Sequence, residues 1–382
     1  MTLTYLDHNA SAPLRPAVLA AMQPFLQAQC GNASSAHALG SRARCAVEDA
    51  RTAVAALVEA RPAEIVFTSG GTESNNLAIL GHARAVPRRR IVTTPIEHAS
   101  VREPLAALRA EGYTVAELTV DAQGHINLDE LERLLSEPTG LVTIGWANNE
   151  VGTIQPVEEI AARCRARGVT LHVDAVQAVG KIPVHVRGVD LLSISAHKFG
   201  GPQGVGALFA RSDLALSPLL LGGGQERGRR AGTENVAGIV GMGEACRVAG
   251  RELGAFAEAC VAMRDELWRG LQAAIASVRR NGPAATDCLP NTLNVSFAGV
   301  CGEALVAALD LDGVAVSSGS ACAAGAGEPS HVLEALGYDA DAARDGIRFS
   351  LGWTNTPAQI ERVVAATAHA VHRIRSAKGS RD

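Results

Sequence analysis

The chain has 382 residues, 47% hydrophobic and 19% charged, with a formal net charge of −4. That is enough for one large α/β unit or two domains around a substantial core. A mildly acidic chain with 3% aromatic residues lacks the basic surface and stacking platforms of a nucleic-acid binder and the charge for an anionic membrane.

The opening MTLTYLDHNASAPL has no basic stretch leading into an apolar one, and no apolar run nears the roughly 20 residues of a membrane span. A cytoplasmic protein is expected. Apolar bursts then alternate with helical patterns. AEIVFTSGG reads as a buried strand entering a glycine turn, and ESNNLAILGHARA as the helix after it. RRIVTTPIEHAS, GLVTIGWANNEVG, GVTLHVDAVQAVG and VDLLSISAHKFGG repeat the strand-then-loop plan. The pattern predicts an α/β fold with a mixed, mostly parallel sheet covered by helices. Ligands collect at the carboxyl ends of such strands, where Asn149, Asp174 and Lys198 fall.

Composition changes at LGGGQERGRRAGTENVAG, rich in Gly and Arg. Helical text follows over about 236–280, and strand signals return in NTLNVSFAG, VAVSSGS and GIRFSLG. In the closing helix Thr356 and Gln359 fit a capping box with Pro357 at the first position. Ile360, Val363, Val364, Thr367, Val371 and Ile374 mark its buried face. The expected organisation is an N-terminal segment, 1–15, packing with the smaller domain; a large domain, 16–260; and a smaller α+β domain, 261–382.

Several residues are placed for chemistry, each with a plainer alternative. Gly70 and Gly71 before a helix starting near Thr72 can hold an anion, or can simply make a tight turn. Lys198 after a strand can form a Schiff base, or be a surface lysine. Ser195 and Lys198 also match S-x-x-K, but no SDN or KTG accompanies them. Asp174 can pair with a protonated ring nitrogen, or cap a helix. Gln177 lies three residues on. His98 and Arg348 can be structural, yet Arg is a natural carboxylate clamp. Of the eight cysteines none forms a CxxC pair, so neither structural zinc nor a disulfide framework is expected. Cys322 stands apart, in SSGSACAAGAGEPSH, among residues too small to pack a core.

Together these residues describe a pyridoxal-phosphate site. The chain resembles the NifS/IscS-type cysteine desulfurases of the class V aminotransferase family. The resemblance is carried by YLDHNASAP, GNASSAH, EIVFTSGGTESNN, TPIEHASV, NNEVGTIQP, HVDAVQAVGK, SAHKFGGPQGVGAL, GGGQERGRRAGTENV, SSGSACAAGAGEPSHVLEALG and IRFSLG, across nearly the whole length. It implies the fold type I of pyridoxal-phosphate-dependent transferases. Lys198 would hold pyridoxal 5'-phosphate as a Schiff base. Gly71, Thr72, Ser195 and His197 would bind its phosphate, and Thr233 that of the partner subunit in a homodimer. Asp174 would meet the ring nitrogen, Gln177 the ring hydroxyl, and His98 would stack on the ring and move protons. Asn149, also beside the cofactor, and Arg348 would hold the carboxylate of L-cysteine. Cys322 would take the sulfur as a persulfide and hand it to an acceptor protein such as an Fe-S scaffold. A selenocysteine lyase of the same fold is the alternative. The chain departs from the family pattern at Ala33, usually proline, at Trp353, commonly arginine, and at Ala323-Ala324, often Thr-Ser.

Overall fold

The computed structural model describes residues 3–318 and 328–379. Its strands are β1 (Thr4–Tyr5), β2 (Ile65–Thr68), β3 (Arg90–Thr93), β4 (Thr114–Glu117), β5 (Leu141–Gly145), β6 (Thr170–Asp174), β7 (Leu191–Ser195), β8 (Gly206–Ala210), β9 (Val278–Asn281), β10 (Thr292–Phe297), β11 (Val314–Ala315), β12 (Ser317–Ser318) and β13 (Ile347–Ser350). Seven form the large sheet in the order β2-β8-β7-β6-β5-β3-β4. All its pairings are parallel except those of β8, which runs against β2 and β7. The inner strands β5 and β7 are near-continuous apolar runs, LVTIG and LLSIS, as a sheet covered on both faces requires. This is the α/β class with a mixed, mostly parallel sheet that the alternating pattern predicts.

A second sheet, β12-β13-β10-β9, is antiparallel. Val278–Asn281, which falls within the helical text of the sequence, is its edge strand β9; pairing with β10 supplies the backbone partners a helix would have given. The N-terminal strand β1 lies parallel to β11, and Asp7 bridges to Ser350. Leu6 accordingly sits in the core that also holds Leu293, Ile347 and Val363. The helix Val236–Ala274 serves both cores: Ile239, Met242 and Ala249 face the large-sheet core, and Cys260, Leu267 and Leu271 face the second. The expected division at 260 therefore falls inside one continuous helix. The last helix, Pro357–Gly379, buries Ile360, Val363, Thr367 and Val371, and Gln359 accepts the Thr356 N–H as the capping pattern requires.

Candidate active site

Strands β5, β6 and β7 lie side by side, with Gly145 opposite Asp174 and Asp174 opposite Ser193. The loops leaving them carry Asn149, Gln177 and Lys198. The turn after β2 adds Gly71 and Thr72, and the loop after β3 adds Glu97 and His98. These groups line a cavity of about 130 Å³. The structure thus brings Gly71, Thr72, His98, Asn149, Asp174, Gln177, Ser195, His197 and Lys198 to one place at the carboxyl ends of the strands.

Short hydrogen bonds set the walls. Lys198 Nζ donates to the carbonyls of Asn9 and Ala10, at 2.8 and 2.9 Å. Asp174 is aimed through both oxygens: Oδ1 accepts the Val176 N–H at 2.9 Å and Oδ2 accepts Asn75 Nδ2 at 2.7 Å. The same Asn75 nitrogen donates to Ser100 Oγ at 2.8 Å, so the Ser100 hydroxyl proton points on to His98 Nδ1, also 2.8 Å away. His98 Nδ1 also accepts the Ser100 N–H, capping the helix that begins at Ala99. A ring nitrogen that accepts twice leaves the imidazole proton on Nε2.

The glycine turn is built for close approach. Gly70 has φ 154°, and a Cβ at Gly71 would lie 2.8 Å from Val176 Cγ2 and 3.4 Å from Ser195 Cβ. The cradle would be filled by any larger residue. A primary amine, an acceptor carboxylate, a tautomer-locked imidazole, an amide and hydroxyls beside a helix start match a phosphorylated aldehyde on a nitrogen heterocycle.

Burial sets the charges around the cavity. Glu97 is pushed up to about 7 by burial, against hydrogen bonds from Thr94 and the Gly145 N–H. Glu150 is pushed up to about 7 by burial, although Ser330 donates to its Oε2 at 2.6 Å. His197 is drawn down to about 4 by burial and then by Lys198 and Lys181, so it presents a neutral ring near neutral pH.

The comparisons agree with this geometry. A family model described as "Aminotransferase class-V" matches residues 4–363. The chain belongs to the class-V aminotransferase family. It is 45% identical over 376 residues to "Cysteine desulfurase IscS" of Dictyoglomus turgidum, covering 97% of this chain and 95% of that one. A solved "NIFS-LIKE PROTEIN" superposes with a TM-score of 0.92 at 39% identity, over 97% of this chain and all of that one (100%). A structure titled "SspA in complex with cysteine" gives 0.80 at 36% identity, covering 91% and 98%.

Two expected residues of this class-V aminotransferase, Thr233 and Arg348, lie outside the cavity wall. Thr233 is exposed and lines a separate hollow with Ser69, Glu226 and Arg230. Arg348, on β13, is 3% exposed; its Nη2 donates to Asp7 Oδ1 at 2.6 Å and its Nη1 to the Asn149 carbonyl at 3.0 Å. Cys322 lies outside the described residues. Four other thiols, Cys164, Cys246, Cys260 and Cys288, are buried, and burial raises each; the first three reach about 12. Thiols held that high are inert. Trp353 donates from its indole to the Pro13 carbonyl and lies under the Arg15 guanidinium, tying the second sheet's end to the N-terminal segment.

Sequence reasoning missed Asn9, Asn75, Glu97, Ser100 and Lys181. Asn75 sits inside TSGGTESNN, but helical spacing does not reveal an amide reaching a strand end 99 residues on. Asn9 is brought in only by the pairing of the N-terminal segment with β11 and β13.

Proposed function

We propose that this protein is a cysteine desulfurase, taking sulfur from L-cysteine, leaving L-alanine and passing the sulfur through Cys322 to an acceptor protein. One observation carries the reading: the Lys198 amine shares a cavity with Asp174, Gln177 and His98. Relatives at this similarity carry desulfurase names, and one structural neighbour is titled with cysteine bound. That favours cysteine over selenocysteine as substrate.

Pyridoxal 5'-phosphate fits the donor set. Lys198 would hold it covalently; Gly71, Thr72, Ser195 and His197 would take its phosphate, Asp174 its ring nitrogen and Gln177 its ring hydroxyl. Thr233, away from this cavity, is read as serving a second copy of the chain in a homodimer. When bound, the coenzyme supplies an electron-withdrawing ring that makes the substrate's α-proton removable. The chain's own residues do the rest. His98, with its proton on Nε2, would stack on the ring and relay protons. Asn149 and Arg348 orient the substrate carboxylate. Arg348 Nε is buried and has no hydrogen-bond partner among the described residues, which leaves a donor for an incoming anion.

The residues flanking 319–327 are tied beside the cavity. Ser317 pairs with Arg348 across the sheet, Ser330 donates to Glu150, and His331 Nε2 donates to the Glu97 carbonyl at 3.0 Å. Cys322 falls between these two ties in the sequence, and as the nucleophile it would accept the sulfur of the substrate. An S–S bond forms as the C–S bond breaks, the carbon keeps the electron pair and takes a proton, and alanine leaves. Mass spectrometry of the Cys322 peptide after incubation of the coenzyme-loaded protein with L-cysteine tests this. One added sulfur on that peptide is expected; its absence with alanine still produced would sink the assignment. Cytoplasmic residence and supply of sulfur for Fe-S assembly belong to the same proposal. Among the described residues no helix is long and apolar enough to cross a membrane.

A further inference from the structure

Lys181 is 2% exposed and belongs to no step described so far. It closes the turn after β6, where Gly180 has φ 76° and a Cβ would stand 2.6 Å from Phe199 Cβ. Only glycine lets the chain dive there, carrying the next side chain inward. Lys181 Nζ donates to Asn9 Oδ1 at 2.8 Å and to Gln177 Oε1.

Both acceptors are amides: Gln177 lines the cavity, and Asn9 bonds to the backbone of the cavity residue Asn149. The Lys181 amine donates to both, so each amide turns its oxygen toward it. Gln177 then turns its nitrogen to the cavity side, where Nε2 donates to the Asn9 carbonyl at 2.9 Å. That carbonyl also accepts Lys198 Nζ. Asn9 turns its own nitrogen to the Asn149 carbonyl and Thr292 Oγ1, at 3.2 and 2.9 Å. One buried amine therefore sets the donor sense of Gln177 and, together with Asn291 Nδ2, which donates to the same Asn9 Oδ1 at 3.0 Å, that of Asn9, whose carbonyl is one of the two that seat Lys198.

We propose that Lys181 is a positioning residue that locks Gln177 as a hydrogen-bond donor toward the bound ligand and holds Asn9 as the seat of the Lys198 amine. The inference rests on the reading of the cavity as a pyridoxal-phosphate site, where Gln177 would meet the ring oxygen. A donor there favours the oxygen as an anion and so lowers the proton affinity of the nitrogen that Lys198 contributes. The charged groups that act on Lys181 are Lys198 and Arg348, with the rings of His8 and His197 and the Cys260 thiol nearby. Burial first, and then Lys198 and Arg348, hold Lys181 well below the usual lysine range.

The test compares wild type, Lys181→Met and Lys181→Arg, each loaded with pyridoxal 5'-phosphate and titrated between pH 6 and 10 while the visible absorption is followed. Lys181→Met should raise the midpoint of the colour change by about one pH unit, roughly tenfold in proton affinity. Lys181→Arg, which keeps the donors, should stay near wild type. A merely structural role would move the melting temperature but not the midpoint. An unshifted Lys181→Met, or an equal shift in Lys181→Arg, overturns the proposal. If Lys181→Met does not fold, Lys181→Gln decides on the same criterion: a rise supports it and no shift overturns it. A wild type that takes up no coenzyme would instead overturn the reading of the cavity.

Discussion

Asn75 and Asp174 stand 99 residues apart in sequence, yet Asn75 Nδ2 donates to Asp174 Oδ2 at 2.7 Å. The second N–H of that nitrogen goes to Ser100, which in turn serves His98. One buried amide thus aims both the acid expected beneath the coenzyme nitrogen and the histidine expected against its ring. Asn75→Ala removes both donors. Hydrogen bonds to charged groups contribute about 1.5–3 kcal/mol, so coenzyme affinity should fall roughly tenfold or more. Equilibrium dialysis of pyridoxal phosphate against the variant checks this; unchanged affinity would show that Asp174 needs no such aiming.

Lys198→Ala should leave the fold intact and abolish the yellow colour on incubation with pyridoxal phosphate, because no other amine is described in the cavity wall. Absorbance spectra after gel filtration read it directly. Retained colour would move the attachment point to another lysine.

Cys322→Ser should still take up coenzyme but release no sulfide from L-cysteine, since a hydroxyl cannot accept sulfur as a thiolate does. Sulfide assays with and without reductant decide the point. Near-normal release would place the nucleophile at another thiol, of which Cys30 and Cys45 are exposed.

Glu97 gives a pH-dependent stability with a defined sign. Its folded carboxyl titrates near 7, above the ordinary 4.5, so the folded state holds a proton that the unfolded state releases. Its stabilising contribution is full below about pH 4.5 and is lost as pH rises toward 7. Glu97→Gln, always neutral, escapes that loss. Relative to wild type it should gain about 1.4 kcal/mol per pH unit across this window and stay level above it. Thermal melts of both proteins at pH 5, 6, 7 and 8 test the trend, and parallel curves would refute it. The difference removes the opposing contribution of buried histidines such as His172, which burial draws down to about 3.

Glu226 caps the open edge of β2. Its carboxylate takes two guanidinium bonds from Arg51, at 2.7 and 2.9 Å, and the Phe67 N–H at 2.9 Å. The residue holds φ 46°, a left-handed conformation that this set of bonds helps to sustain. Glu226→Ala takes from the buried Arg51 its bidentate partner and leaves it the half-exposed Glu48, at 3.1 Å, and the Ile65 carbonyl, so the cost should approach that of a broken buried pair, about 3–5 kcal/mol. A drop in melting temperature and weakened ordering of the 222–235 loop, read by limited proteolysis, are expected; an unchanged melt would mean Arg51 finds another partner.

The local patterns of the chain were enough for the alternating strands and helices of the large sheet, the glycine turn at Gly70–Gly71, the capped last helix, and the placing of Asp174 and Lys198 at strand ends. Each depends on periodicity or on one residue's backbone freedom, and such signals survive in a linear string. The strand Val278–Asn281 was hidden because an edge strand draws its partners from β10 rather than from its own neighbours. The pairing of Arg348 with Asp7, the reach of Asn75 to Asp174 and the amide lock set by Lys181 were hidden too. In these a donor and its acceptor come from distant segments, and only the packing of the N-terminal segment, the strand ends and the second sheet against one another brings them within 3 Å.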